Sequence, residues 1–184
     1  MDHYVDIDVQ PDPEFPAAQL MNALYAKLHR ALVLNNSTLI GVSFPNVDKH
    51  LGARMRLHGS EDVLQSLLTS DWLAGMRDHA TLTPPIRVPE TSKYCVVRRV
   101  QVKSSTDRLR RRLMRRHNVD ETEALKRIPD EVARTTNLPF VQLRSTSTGQ
   151  SFKLFIEHGP IQSQATEGDF STYGLSQGAT IPWF

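Results

Sequence analysis

Over residues 4–9 apolar and polar side chains alternate, Val5, Ile7 and Val9 on one side and Asp6 and Asp8 on the other, which predicts a strand with one buried face. Asp12-Pro13-Glu14-Phe15-Pro16 breaks that alternation and starts a helix, its prolines placed where a first turn tolerates them. Met21, Leu24, Leu28 and Leu32 recur at helical spacing to about Leu34, and Asn35-Asn36-Ser37 ends the run. Strands are expected at 39–44 and 55–58, separated by a polar segment containing Asp48-Lys49-His50. Ser60-Glu61-Asp62 caps a second helix through Val63, Leu64, Leu67 and Leu68, extended or followed by a short one at 72–76. Residues 81–88 supply a last strand, with Pro84 and Pro85 suited to an edge. The resulting order, β-α-β-β-α-β, is that of the ferredoxin-like fold.

Residues 83–94, rich in proline and polar side chains, mark the expected boundary between a domain at 1–94 and a second at 95–184. The second opens on another alternation, at 95–103. Val96, Val100 and Val102 are expected on one face, with Arg99 and Gln101 side by side on the exposed other. Ser104-x-x-Asp107 has the form of a capping box, so a helix is predicted from there to about His117. Arg108, Arg111, Arg112 and Arg115 fall within an arc of about 100°, and Leu109 and Leu113 lie outside it. A shorter helix at 120–126 follows, interrupted by Arg127-Ile128-Pro129. Short strands are expected at 140–144, 151–156, 161–165 and 170–176, the first two joined by a Ser-Thr-Ser-Thr-Gly-Gln hairpin, and Trp183 and Phe184 are expected to tuck into the second domain. Helices and mainly antiparallel strands in this order make an α+β protein.

Composition changes the picture chiefly through charge. The net charge of the 184 residues is only +2, but residues 1–94 carry eight basic and eleven acidic side chains, and residues 95–184 carry fourteen and nine. Residues 98–116 alone hold nine of the 22 lysines and arginines, with Asp107 the single acid among them. Guanidinium forks on one helix face suit phosphates and base edges, so nucleic acid is the first partner to consider; a solvated basic face or a docking surface for an acidic protein is the plain alternative. One cysteine, Cys95, excludes an internal disulfide and suits a reducing compartment, and among valines it reads as a core residue. No apolar run approaches the ~20 residues that span a bilayer, and no signal peptide opens the chain, so a cytoplasmic protein without membrane attachment is expected.

The seven histidines lack zinc-like spacings, and no glycine loop of the phosphate-cradling type occurs, so no metal or other cofactor is expected. A nuclease built from these residues would use the 2′-OH of RNA as its nucleophile. A histidine titrating near neutrality is the usual base for that step. His29 flanks the apolar stripe of the first helix and is either such a base or a surface or packing histidine; His117 fits the C-terminal cap of the arginine helix. The hairpin hydroxyls could bond ribose or phosphate, or only their own backbone, and Phe152 and Tyr173 could stack on bases or fill a core. Arg99 and Gln101 have the donors and acceptors to read guanine and adenine edges respectively, against the ordinary alternative of an edge strand with polar residues facing out.

The runs RVQVKS, RLRRRLMRRH, LPFVQLRSTSTGQSF and YGLSQGATIPWF, with DHYVDI, PDPEFP and KLHRAL near the N-terminus, resemble the Csy-type endoribonucleases that process CRISPR repeat RNA in type I-F systems. The likeness covers nearly the whole chain; only the segment 46–54 looks shorter than the family's. It implies a ferredoxin-like domain, a second domain carrying the arginine helix, and a repeat RNA stem-loop as partner. Arg112, Arg115 and Arg116 match the groove-binding positions, Arg99 and Gln101 those that touch base edges at the bottom of the stem, and Phe152 the aromatic stacked beneath the terminal base pair. His29 matches the catalytic histidine, Ser145 the serine that holds the reactive ribose, and Tyr173 a tyrosine near the histidine. Ser147 and Thr148 fall in the same hairpin. The implied reaction is metal-free transesterification 3′ of the stem, leaving a 2′,3′-cyclic phosphate. The implied setting is a chain that is monomeric when free, retains its product and joins the type I-F surveillance complex. A module that holds the RNA without cutting it, or a DNA-binding regulator using the arginine helix, are the competing readings.

Overall fold

The computed structural model describes residues 1–101, 106–129, 136–146 and 148–184, without the side chains of 106–108. The protein is α+β. Its first sheet is built from β1 (His3–Val9), β2 (Gly41–Ser43), β3 (Arg54–Gly59), β4 (Ala80–Leu82) and β5 (Ile86–Arg87), all antiparallel, in the order β2-β3-β1-β4. β5 extends the β4 edge of β1, pairing His3 and Tyr4 where β4 pairs Ile7 to Val9. The single strand expected at 81–88 is thus divided at Pro84-Pro85, because two prolines offer no N–H to the ladder.

The first helix, α1 (Ala17–Leu34), follows from the Met21, Leu24, Leu28, Leu32 stripe, all of which is buried. The second, α2 (Glu61–Thr69), starts after Ser60 and buries Leu64 and Leu67. A turn and a 3-10 helix (Arg77–His79) replace the short helix expected at 72–76. On the first sheet Arg56 makes a bidentate pair with Asp6, at 2.6 and 2.9 Å, and its guanidinium lies over both the Tyr4 and Phe184 rings, which also meet each other edge-on at 4.9 Å. The C-terminal Phe184 therefore packs on the first sheet, contrary to the expectation that it tucks into the second half, because the buried cation offers it a ring-stacking partner.

A second sheet contains β7 (Val97–Val100), β8 (Phe140–Arg144) and β9 (Ser151–His158) in the order β7-β9-β8. A third pairs β6 (Lys93–Cys95) with β10 (Ile181–Trp183). The strands expected at 161–165 and 170–176 do not form. The first contributes one isolated bridge, Gln162 to Tyr94, and the second is an irregular strap held by bonds to other elements.

Val5, Leu24 and Leu57 from the first sheet and its helix belong to the same buried cluster as Cys95, Val97, Leu154, Ile156, Phe170 and Ile181. Burial accordingly pushes the Cys95 thiol up to about 11, as befits a core residue. The compact units are residues 1–100 with 138–184, and residues 101–137. The composition break at 94/95 falls inside the first unit, since both sheets share one core.

The smaller unit carries α3 (Thr106–His117) and α4 (Glu121–Arg127). Asp120 caps α4 by accepting from the Glu123 N–H at 2.7 Å. Ser104, the first residue of the expected capping box, lies outside the described residues.

Candidate active site

The strap at 170–177 joins two open sheet edges. The Phe170 N–H donates to Thr38 O at 3.0 Å and the Val42 N–H to Gly174 O at 2.8 Å, on the side of β2. On the other side the Ser176 N–H donates to Val97 O of β7 at 3.1 Å. Gly174 has φ +69°, and a β-carbon there would overlap the Val42 side chain. No other residue type allows the strap to turn this close to β2.

α1 presents two side chains, one turn apart, to successive strap carbonyls. The Tyr25 hydroxyl donates to Tyr173 O at 2.7 Å, and His29 Nδ1 lies 2.8 Å from Thr172 O. Burial, reinforced by the Tyr173 phenol, pushes the Tyr25 phenol well above its ordinary range, so it stays a donor. A carbonyl can only accept, which puts the hydrogen of the neutral His29 ring on Nδ1 and leaves Nε2 with its lone pair. The His29 and Tyr173 rings stack at 4.0 Å between centroids and 8° between planes. Tautomer and ring plane are thus both set by the strap.

Arg99 does not occupy the exposed face expected of it. In β7 it pairs with Ile156, and Val97 pairs with His158, so Arg99 shares the inner face with buried Val97 and Ile156. Cys95 and Val97 have the same parity as Arg99, and their burial, not that of Val96 and Val100, decides which way the strand faces. The half-buried guanidinium ends 6.0 Å from the Phe152 ring centre and 5.8 Å from that of Tyr173. Gln177, which the sequence did not single out, donates from Nε2 to the Arg99 carbonyl at 3.2 Å. His29, Tyr173, Arg99 and Phe152 therefore form a continuous set.

Ser145 lies on the turn that closes β8 and β9, one residue past the Arg144–Ser151 pair and beside the Leu143–Phe152 pair. Its N–H donates to Gln150 O and its carbonyl accepts from the Gly149 N–H, both at 2.9 Å, and its Oγ accepts from the Thr148 N–H at 3.3 Å. Arg144 Nε donates to Gly149 O at 2.9 Å, bracing the turn. Thr148 is exposed; Ser147 lies outside the described residues.

In the smaller unit Arg111, Arg112, Arg115 and Arg116 are exposed along α3, and Leu113 and Met114 are half-buried, as the periodicity requires. Arg110 is turned to packing: its Nε donates to Ile128 O at 2.8 Å. Arg108 belongs to α3, with its side chain outside the described set, and Gln101 is exposed. Among the described residues no three His, Cys, Asp or Glu side chains gather where a metal ion could be held, and no helix is long and apolar enough to cross a membrane.

Two more histidines are far from this role. Burial lowers His58, which shares a hydrogen bond of 2.8 Å with Ser43, to about 3, and His158, whose Nε2 accepts from the Phe44 N–H, to about 4. His58 is a buried neutral group and His158 a half-buried one. Tyr25, Thr172, Gly174 and Gln177 escaped sequence reasoning because Thr172 and Gly174 act through backbone carbonyls, Gln177 bonds a carbonyl 78 residues away, and Tyr25 looks like any other apolar-stripe residue.

An α+β protein with one imidazole locked on its larger unit and an arginine comb on its smaller one is the class that fold and site define. Residues 4–184 match the family model described as CRISPR-associated protein (Cas_Csy4), and the chain belongs to that family. It is 58% identical over 187 residues to the CRISPR-associated endonuclease Cas6/Csy4 of Pseudomonas aeruginosa (strain UCBPP-PA14), with all of both chains covered. It is 48% identical over 184 residues, again over the whole of both, to the CRISPR-associated endonuclease Cas6/Csy4 of Escherichia coli (strain UTI89 / UPEC).

Proposed function

We propose that the chain is a metal-independent, hairpin-specific endoribonuclease that cuts CRISPR precursor RNA within its repeats, 3′ of the stem-loop, and keeps the product. The observation that carries this reading is the His29 to Thr172 bond, which leaves Nε2 able to accept a proton. In the reaction His29 Nε2 takes the 2′-OH proton as the 2′ oxygen bonds to the adjacent phosphorus. The bond from phosphorus to the 5′ oxygen breaks, that oxygen takes a proton from water, and the His29 imidazolium returns its own to the solvent. The products are a 2′,3′-cyclic phosphate and a 5′-hydroxyl. Ser145 holds the ribose so that the 2′-OH is in line, which matters as much as basicity in a step limited by geometry. Tyr173 keeps the imidazole plane through its stack.

Phe152 serves as the platform under the last base pair, and Arg99 and Gln101 read base edges there, with Ser147 and Thr148 bonding the backbone. Arg108, Arg111, Arg112, Arg115 and Arg116 hold the stem. We place the acid–base group in a ferredoxin-like domain at 1–94 and the RNA-hairpin contacts in 95–184. The strand order β2-β3-β1-β4 with two helices supports the first assignment. The other subunits of a type I-F surveillance complex, a cytoplasmic location and a monomeric free state complete the proposal.

The test is incubation with a synthetic repeat RNA in EDTA, with the product ends mapped. A single cut at the 3′ base of the stem, ending in a cyclic phosphate, is expected. Intact RNA despite tight binding would mean a holding module that does not cut, and tighter binding to the matching DNA duplex a DNA-binding protein.

A further inference from the structure

β8 is an edge strand of its sheet, so some of its backbone groups face away from β9. The outward N–H of Gln142 donates to the side-chain Oδ1 of Asn22 on α1, at 2.8 Å, across 120 residues of sequence. Asn22 is the only α1 side chain hydrogen-bonded to β8 among the described residues. It is also seven residues before His29, so the two lie about 20° apart around the helix and about 10 Å apart along it. Gln142 is three residues before Ser145, about 10 Å along the strand. The bond therefore ties the helix stripe that carries the base to the strand that delivers the serine, at a point comparably far from each.

We propose that Asn22 is a positioning residue for RNA cleavage: its carboxamide sets the register of α1 against β8, and with it the placement of His29 relative to the Ser145 turn. The inference rests on the endoribonuclease reading above. Apolar packing of Leu20, Leu24 and Leu28 holds α1 in the core but tolerates a small slide along β8, because dispersion contacts are not directional. A hydrogen bond to one N–H does not tolerate it. The fixed point is needed because the proton transfer and the in-line attack involve groups from two elements, and a displacement near 1 Å costs about 100-fold in rate.

The test compares Asn22→Leu, which keeps the volume and loses the acceptor, with Asn22→Asp, which keeps the acceptor. Single-turnover cleavage of a synthetic RNA carrying one repeat of the cognate array is measured at saturating protein, beside the Kd for the same RNA made uncleavable by 2′-deoxy substitution at the cut. Asn22→Leu is expected to cut about 10 to 100 times more slowly with Kd unchanged within about twofold, and Asn22→Asp to recover most of the rate. Wild-type cleavage by Asn22→Leu overturns the inference, as does a rate lost only in proportion to affinity or equally in both variants. Wild type and His29→Ala run alongside. If wild type leaves the RNA intact, or His29→Ala cuts as fast as wild type, it is the nuclease reading that fails.

Discussion

Replacing Gly174 with alanine tests the strap from which the site hangs. The residue sits at φ +69°, where an L side chain costs about 1–2 kcal/mol, and the new methyl overlaps the Val42 side chain, with Val42 Cβ itself at 3.1 Å. Val42 is fully buried and its N–H is bonded to Gly174 O, so it has little room to retreat; overpacking of this kind costs about 1–3 kcal/mol. Gly174→Ala is therefore expected to destabilise the fold by about 2–5 kcal/mol, a large part of a typical domain's stability. Urea unfolding followed by tryptophan fluorescence measures it. Val42→Ala in the same background should restore about 1–3 kcal/mol through the double-mutant cycle, because it removes the steric part and leaves the backbone part. The variant should also cut more slowly, since a displaced strap moves Thr172 O away from His29. A Gly174→Ala protein within about 0.5 kcal/mol of wild type would refute both the turn and the contact.

His29→Ala should abolish cleavage and leave hairpin affinity nearly intact, because it removes a proton acceptor and few binding contacts; gel assays of cutting and binding check this, and undiminished cutting refutes the role. Arg115→Ala should weaken RNA binding and reduce the slope of log affinity against log salt by ~1, read by titration at several salt concentrations. Acid should destabilise the fold through His58 and His158. Their folded values, about 3 for His58 and about 4 for His158, lie below the ordinary 6.5, so the unfolded chain binds more protons and stability falls as pH drops below 6.5 towards 4. At pH 5 each contributes a loss of about 2 kcal/mol relative to pH 8. Equal urea midpoints at pH 8 and 5 would show that these rings charge freely in the folded protein.

Much of the fold was legible because its elements announce themselves locally. The α1 stripe, the alternation of β1 and the exposed arginines of α3 all follow from periodicity within a few residues. The strand expected at 170–176 is instead a strap because its backbone, at Phe170, Gly174 and Ser176, bonds Thr38, Val42 and Val97, partners remote in sequence. Arg99 was assigned to the wrong face for a related reason. Neighbouring valines of both parities left the strand's orientation open, and the choice was made by the core that Cys95 and Val97 enter. The C-terminal Phe184 went to the first sheet because a buried cation, Arg56, lies there with one aromatic face already in place.

By itself the sequence determined where the main helices α1, α2 and α3 and the strands β1 to β3 and β7 to β9 run, where the cations gather, and that His29 flanks an apolar stripe, since each depends on spacing along one segment. Tertiary structure alone decided that His29 meets a carbonyl 143 residues away and that its Nε2 is the nitrogen left to act. Hydrogen bonds join whatever atoms packing brings within about 3 Å, and which atoms those are is settled by the whole core at once.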